Sequence, residues 1–262
     1  MKIRFLIPFL FFAFYSLNAL SEPISQDSPD PTIVFIVSND PLNYEAHVTI
    51  PRFAKKLQQE KGYKVKVIEA KGIRKKAKLP GIRSIKKSDL LVVFCRRLAL
   101  RPGQMKIIKE YIESGKPVMG IRSANHAFSI RDSLAQGYVD WWEFVPDVLG
   151  CENRGHSPNP EPVKILPSRM LPRHPATDGI NFNAWTTPGH LYKSLPLLDP
   201  DADILLEGKT GGLKEPVAWT RYTDFGGMVF YTSLGVPDDF INPQFVILLE
   251  NTVQWILNEN KK

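Results

Sequence analysis

Gly120-Ile-Arg-Ser-Ala124 has the spacing of a nucleophile elbow, where small neighbours let a reactive side chain stand on a sharp strand-to-helix turn. The apex is Arg122, and a guanidinium offers no nucleophile at neutral pH. It can instead present fixed donors to a carboxylate, a sugar oxygen or an enolate-like oxyanion, or bridge loop carbonyls as a structural arginine. Ser123 and Asn125 add polar atoms that either face a ligand or cap the next helix. His126 reads as a general base, a metal ligand or a buried histidine bonded to backbone. Glu45 can move a proton if it precedes the first helix, and Tyr44 then shares its side of the pocket. His47 lies two residues on, so one helical face cannot present both Glu45 and His47.

His156 and His190 each follow a glycine in a loop, and with His126 they number enough for a catalytic metal site. No tight spacing motif joins them, so no metal ligand is assigned and the cofactor stays unknown. Val37-Ser-Asn-Asp-Pro41 has no glycine where a dinucleotide fingerprint would need it, so no tightly bound dinucleotide is expected. Cys95 and Cys151 are the only cysteines. They can form a disulfide in an oxidising compartment or act as small buried hydrophobes. Cys95 ends a different strand from the elbow, which weighs against a thiol hydrolase.

These residues need a scaffold, and the apolar pattern supplies one. Thr32 to Val37 reads as a buried strand, followed by a helix from Ala46 or Thr49 to Lys61 that Gly62 closes. Lys64 to Glu69 alternates like an edge strand, and Asp89 to Cys95 is continuously apolar like an internal one. A helix over Pro102–Glu113 precedes the elbow strand containing Val118, Met119 and Ile121. Four strand–helix alternations predict an α/β fold: a three-layer, mostly parallel (flavodoxin-like) sheet with helices on both faces. Ligands of such sheets bind beyond the carboxyl ends of the strands. Three segments meet there: Asn39 to Glu45, Cys95 to Arg97, and Arg122 to His126. Asn39, Tyr44, Arg97 and Ser123 from these segments, together with the loop histidines His156 and His190, are the expected binding residues, with Arg122, His126 and Glu45 as the expected catalytic ones. Further on, Pro216 to Tyr222 and Gly227 to Ser233 form a hairpin, and a last helix starts at Asn242 with Pro243 in its first turn. Residues 32–260 read as a single domain.

The amino terminus reads as an address. Lys2 and Arg4 precede an apolar run from Phe5 to Tyr15, and small or polar residues follow at Ala19 to Ser21. That is a secretory signal over residues 1–21, because the run is shorter than the ~20 residues a membrane span requires. Residues 22–31 form a Pro- and Ser-rich linker. Export to the periplasm or beyond is expected, with no stable membrane span after cleavage. The formal charge of +7 is concentrated in Lys71 to Lys87, which contains no acid. No aromatic residue interleaves that run for base stacking, so it reads as a solvated loop and no nucleic-acid partner is expected.

The ordering of motifs resembles the ThuA-like (trehalose-utilisation) family over about residues 32–258. Tyr44-Glu-Ala-His-Val-Thr-Ile-Pro51 is similar to its His-containing segment before a proline-bearing helix, and Gly120 to Ala124 to its Gly-x-His-Ser-Ala elbow. Gly155-His156, His174-Pro175, Pro216-Val-Ala-Trp219, Gly227 to Gly235 and Trp255 resemble its later landmarks. The resemblance implies a class I glutamine-amidotransferase-like fold and a carbohydrate or keto-sugar ligand. Amidotransferases of that fold place cysteine at the elbow, so Arg122 implies that glutamine is not hydrolysed. Leu234-Gly235-Val236 also departs from the family's Leu-Gly-His, with Asp238 and Asp239 nearby as substitutes. The sequence thus leaves two readings: sugar-directed acid–base chemistry, or a ligand-binding module that kept the fold without the catalytic cysteine.

Overall fold

A computed structural model describes residues 30–158, 161–169 and 173–260. The signal segment expected over residues 1–21 and most of the expected linker over 22–31 lie outside the described residues.

β-Branched, uniformly apolar stretches settle in the middle of the sheet because both of their faces are covered. β1 (Thr32–Ser38) and β3 (Leu90–Phe94) are such strands, and nearly every residue in them is buried. Alternating β2 (Lys64–Ala70) takes the edge beside β1. β4 (Val118–Ile121), the elbow strand, pairs in parallel with β3 and with β9 (Met228–Thr232). Period-two alternation splits the side chains of these strands between two cores. Ile33, Phe35 and Val37 pack with α1 (Ala46–Lys61) and α3 (Pro243–Glu259), while Val34 and Ile36 pack with α2 (Pro102–Glu113) on the opposite face.

Helix ends follow local chemistry. Gly62 stops α1 in the left-handed region at φ 71°. The Asn242 side chain accepts a hydrogen bond from the Gln244 amide at 2.9 Å, and Pro243 fills the first turn of α3.

The expected mostly parallel sheet needs correction. The described residues form one mixed nine-stranded sheet in the order β2-β1-β3-β4-β9-β8-β7-β5-β6. Its β2-to-β9 half is parallel, and its other half is antiparallel. The antiparallel half comprises β5 (Val163–Pro167), β6 (Thr186–Thr187), β7 (Asp203–Thr210) and β8 (Leu213–Tyr222). The reason is connection length: two glycines, Gly211 and Gly212, join β7 to β8, and such a link is far too short for a parallel crossover. Among the described residues, no helix is long and apolar enough to cross a membrane.

Candidate functional site

Left-handed backbone costs an ordinary L-residue roughly 1–2 kcal/mol, so its distribution is informative. Among the described residues, four non-glycine positions adopt it: Tyr44 (φ 50°), Glu45 (φ 52°), Arg97 (φ 54°) and Arg122 (φ 46°). All four follow the carboxyl ends of β1, β3 and β4. The elbow is equally tight: a Cβ on Gly120 would lie 2.9 Å from the Tyr231 ring and 3.2 Å from the Ala124 methyl. Beyond it the chain makes one short 3-10 turn, Arg122–His126, in place of the expected longer helix.

Arg122 is 1% exposed. Its Nη1 donates to the carbonyls of His190 (3.1 Å) and Ser233. Its guanidinium lies between two phenol rings, 4.7 Å from the Tyr44 centroid and 4.1 Å from that of Tyr192. The two hydroxyls meet at 3.1 Å, and the Tyr231 hydroxyl donates to the Arg122 carbonyl at 2.9 Å. Burial opposes the Arg122 charge, but the surrounding tyrosines outweigh it, and the net shift is upward. Burial would likewise raise the Tyr44 hydroxyl, yet the Arg122 charge and the Tyr192 hydrogen bond bring it below its ordinary value. Tyr192 is more buried and moves up. Of the linked pair, Tyr44 is therefore the easier to deprotonate.

A cavity of about 560 Å³ opens in front of these tyrosines. Tyr44, Glu45, Arg97, His126 and His156 all line it, so the fold brings together five of the residues singled out from sequence. Arg122 stands behind the tyrosine layer. Ser123 is wholly buried beside it. Asn39 lines a separate cleft with Arg74, and His190 stacks on His156 with centroids 4.4 Å apart. Both of those imidazoles direct Nδ1 at the Ser157 carbonyl, at 2.9 and 3.1 Å, which leaves each Nε2 free to accept.

His126 is 7% exposed, and its pKa falls to about 2 through burial first and then through Arg97, Arg96, Arg122 and Arg131. A neutral imidazole can exchange hydrogen bonds, here with Asn125 and Asn153, but stores no proton near neutral pH. Arg97 donates Nη1 to the Ser129 carbonyl at 2.8 Å, and burial together with Arg131 and Arg96 lowers it to about 10. Cys95 and Cys151 are unbridged and buried, and burial pushes the Cys151 thiol up to about 12. No group of three or more His, Cys, Asp or Glu among the described residues could hold a metal. Asp239 spends Oδ2 on the Gly235 and Val236 amides, at 2.7 and 3.0 Å, so it braces the loop after β9.

Tyr192, Arg96, Arg131 and Asn153 also line the cavity and escaped the sequence reading. Arg96 lies inside the Cys95–Arg97 segment that the strand-end rule already places here, but only Arg97 is singled out from it by sequence. Tyr192 reaches Tyr44 across 148 residues through an isolated bridge to His156, and nothing local marks that pairing.

Comparison with known proteins follows the same lines. The family model for ThuA, described as trehalose utilisation, matches residues 34–256. A ThuA-like protein from Bacteroides uniformis superposes with a TM-score of 0.62 at 17% identity, covering 90% of this chain and 95% of that one. One from Parabacteroides merdae gives 0.61 at 15% identity, covering 87% and 90%. At such identities the likeness shows a shared fold. No curated protein matches the chain.

Proposed function

The chain belongs to the ThuA family, described by trehalose utilisation, and from that premise we propose that it acts on a carbohydrate or keto-sugar in the cavity beyond β1, β3 and β4. The observation that carries this reading is that three of the four strained non-glycine residues among those described, Tyr44, Glu45 and Arg97, line that cavity, and the fourth, Arg122, lies directly behind its tyrosines. Strain of this kind persists where a side chain must be held in one place.

The chemistry is acid–base. Glu45 reaches the cavity from a left-handed position just before α1, and Tyr44 beside it has a hydroxyl made more acidic by the Arg122 charge. These two groups move the proton, while neutral His126 orients a ligand oxygen. Arg122 is a positioning residue that fixes both tyrosine rings from behind. The protein works outside the cytoplasm, as the signal segment implies; amino-terminal sequencing of the mature chain should begin near residue 22. In the amidotransferase-like fold implied by the resemblance, the elbow here carries no thiol, and Cys95 is buried and unavailable.

The test is turnover of a panel of sugars and keto-sugars by the wild type, Glu45→Gln and Tyr44→Phe. Loss of turnover in either variant, with ligand binding retained, is the expected result. Turnover unchanged in both would overturn the mechanism. A second reading, a binding module without chemistry, is favoured by the engagement of Arg122 with two backbone carbonyls. It predicts binding to the same panel with no product.

A further inference from the structure

A buried or half-buried arginine is normally neutralised, because an uncompensated charge taken from water is costly. Next to the cavity that rule is obeyed. Arg74 donates through Nε and Nη2 to Asp40, the latter contact at 2.7 Å, and the Asp40 carboxyl falls below its ordinary value although burial opposes that. On the cavity wall the rule is broken. Half-buried Arg96 and buried Arg97 line it, and neither takes part in an ion pair among the described residues; the exposed Arg131 joins them on the same wall, also without one. Glu45 is the single carboxylate on the same wall.

Hydrogen bonding tells the same story. Arg96 gives Nε to the Leu42 carbonyl at 3.1 Å, and its Nη1 is buried without a partner. Arg97 holds strained backbone at φ 54° and is only 8% exposed. Arg97 is depressed by burial and then by its neighbouring cations Arg131, Arg96 and Arg74, as close like charges require. The carbonyls of Leu42 and Ser129 each take one donor from Arg96 and Arg97, and neither bond supplies a negative charge.

We infer that the ligand carries an oxyanion, a carboxylate or a phosphate ester, held by Arg96, Arg97 and Arg131 at the mouth of the cavity while its sugar ring lies against Tyr44 and Tyr192. This rests on the sugar reading above and narrows it to acidic sugars. The planar guanidinium fork suits carboxylate and phosphate oxygens equally, so the arrangement itself is common to both.

The experiment is calorimetric titration of the full mature chain with D-glucuronate, D-glucose 6-phosphate and D-glucose, with inorganic phosphate and acetate as ring-free probes. It is repeated with Arg96→Gln and Arg131→Gln, whose folding is checked by thermal melting. One or both acidic sugars should bind at least about tenfold tighter than glucose, and each variant should remove most of that preference. The acidic sugar that binds tighter identifies the anion. Raising the salt should weaken acidic-sugar binding and leave glucose unaffected. Equal affinity for acidic and neutral sugars would overturn the inference and leave the sugar site standing. Binding of phosphate or acetate, lost in Arg96→Gln, with no sugar bound, would keep the anion site and sink the sugar reading. Binding of none of the five would overturn both.

Discussion

Arg221, in the antiparallel half, and Arg97, at the end of a parallel strand, are both poorly exposed arginines with opposite surroundings. Arg221 donates Nε to Asp199 at 2.7 Å and Nη1 to the carbonyls of Asp147 and Val148 at 2.7 and 3.0 Å. Its charge is neutralised and its donors serve the turn beneath β8. Arg97 has one carbonyl, other arginines for neighbours and a strained backbone. The first is a fastener. The second is held against its own electrostatics, which fits the anion site inferred above. One half of the sheet therefore spends its polar chemistry on stability, and the parallel edge spends it on a cavity.

Substitutions should separate the two regions. Arg221→Ala strands a carboxylate and two carbonyls, so it should cost about 3–5 kcal/mol in urea unfolding. Arg131→Ala should stay within about 0.5 kcal/mol, and a comparable loss there would erase the contrast. Arg122→Met should cost about 2–3 kcal/mol through its two charge-assisted bonds and its ring contacts. It should also return the Tyr44 hydroxyl toward its ordinary range in an ultraviolet titration, because the positive charge that lowers it is gone.

His126 ties the cavity to pH. In the unfolded chain its imidazole takes a proton below about 6.5, whereas in the folded chain it stays neutral down to about 2. The unfolded state thus binds more protons, and stability falls as pH drops through that window. The His126 contribution should be about 2 kcal/mol lost between pH 7 and pH 5. His126→Gln should flatten that part of the stability curve; an unchanged slope would contradict the burial of the ring. A smaller effect, of opposite sign, is the most pointed. Glu45→Gly relieves a left-handed position whose side chain makes no structural bond, so stability should rise by about 0.5–1 kcal/mol while turnover falls.

Much of this was readable from residue types alone. Apolar runs at 32–37 and 89–95, glycine after Lys61 and the Asn242-Pro243 start of the last helix place the parallel strands and their helices, because each is a local rule. The same rules put Tyr44, Glu45, Arg97 and His126 at strand ends. The antiparallel half was harder: Gly211-Gly212 marks the β7–β8 hairpin locally, but β5 joins β7 across about 40 residues, and nothing local marks that pairing. Tyr192 was invisible for a related reason: its partner lies 148 residues away, and only the closed fold brings the hydroxyls together. The Arg122 surroundings were half visible. Its place at the apex follows from the elbow spacing, but the rings of Tyr44 and Tyr192 that cover it come from two distant loops.

The central claim is that the arginine-rimmed cavity at the parallel strand ends receives the ligand. It is tested most directly by a crystal structure with whichever sugar of the panel binds. The account predicts electron density against Tyr44, Arg97 and His156, with any anionic group turned toward Arg96 and Arg131. Ligand density in the cleft between α1 and the loop after β9, lined by Phe53, Phe240 and Val246, with the arginine cavity unchanged, would contradict it.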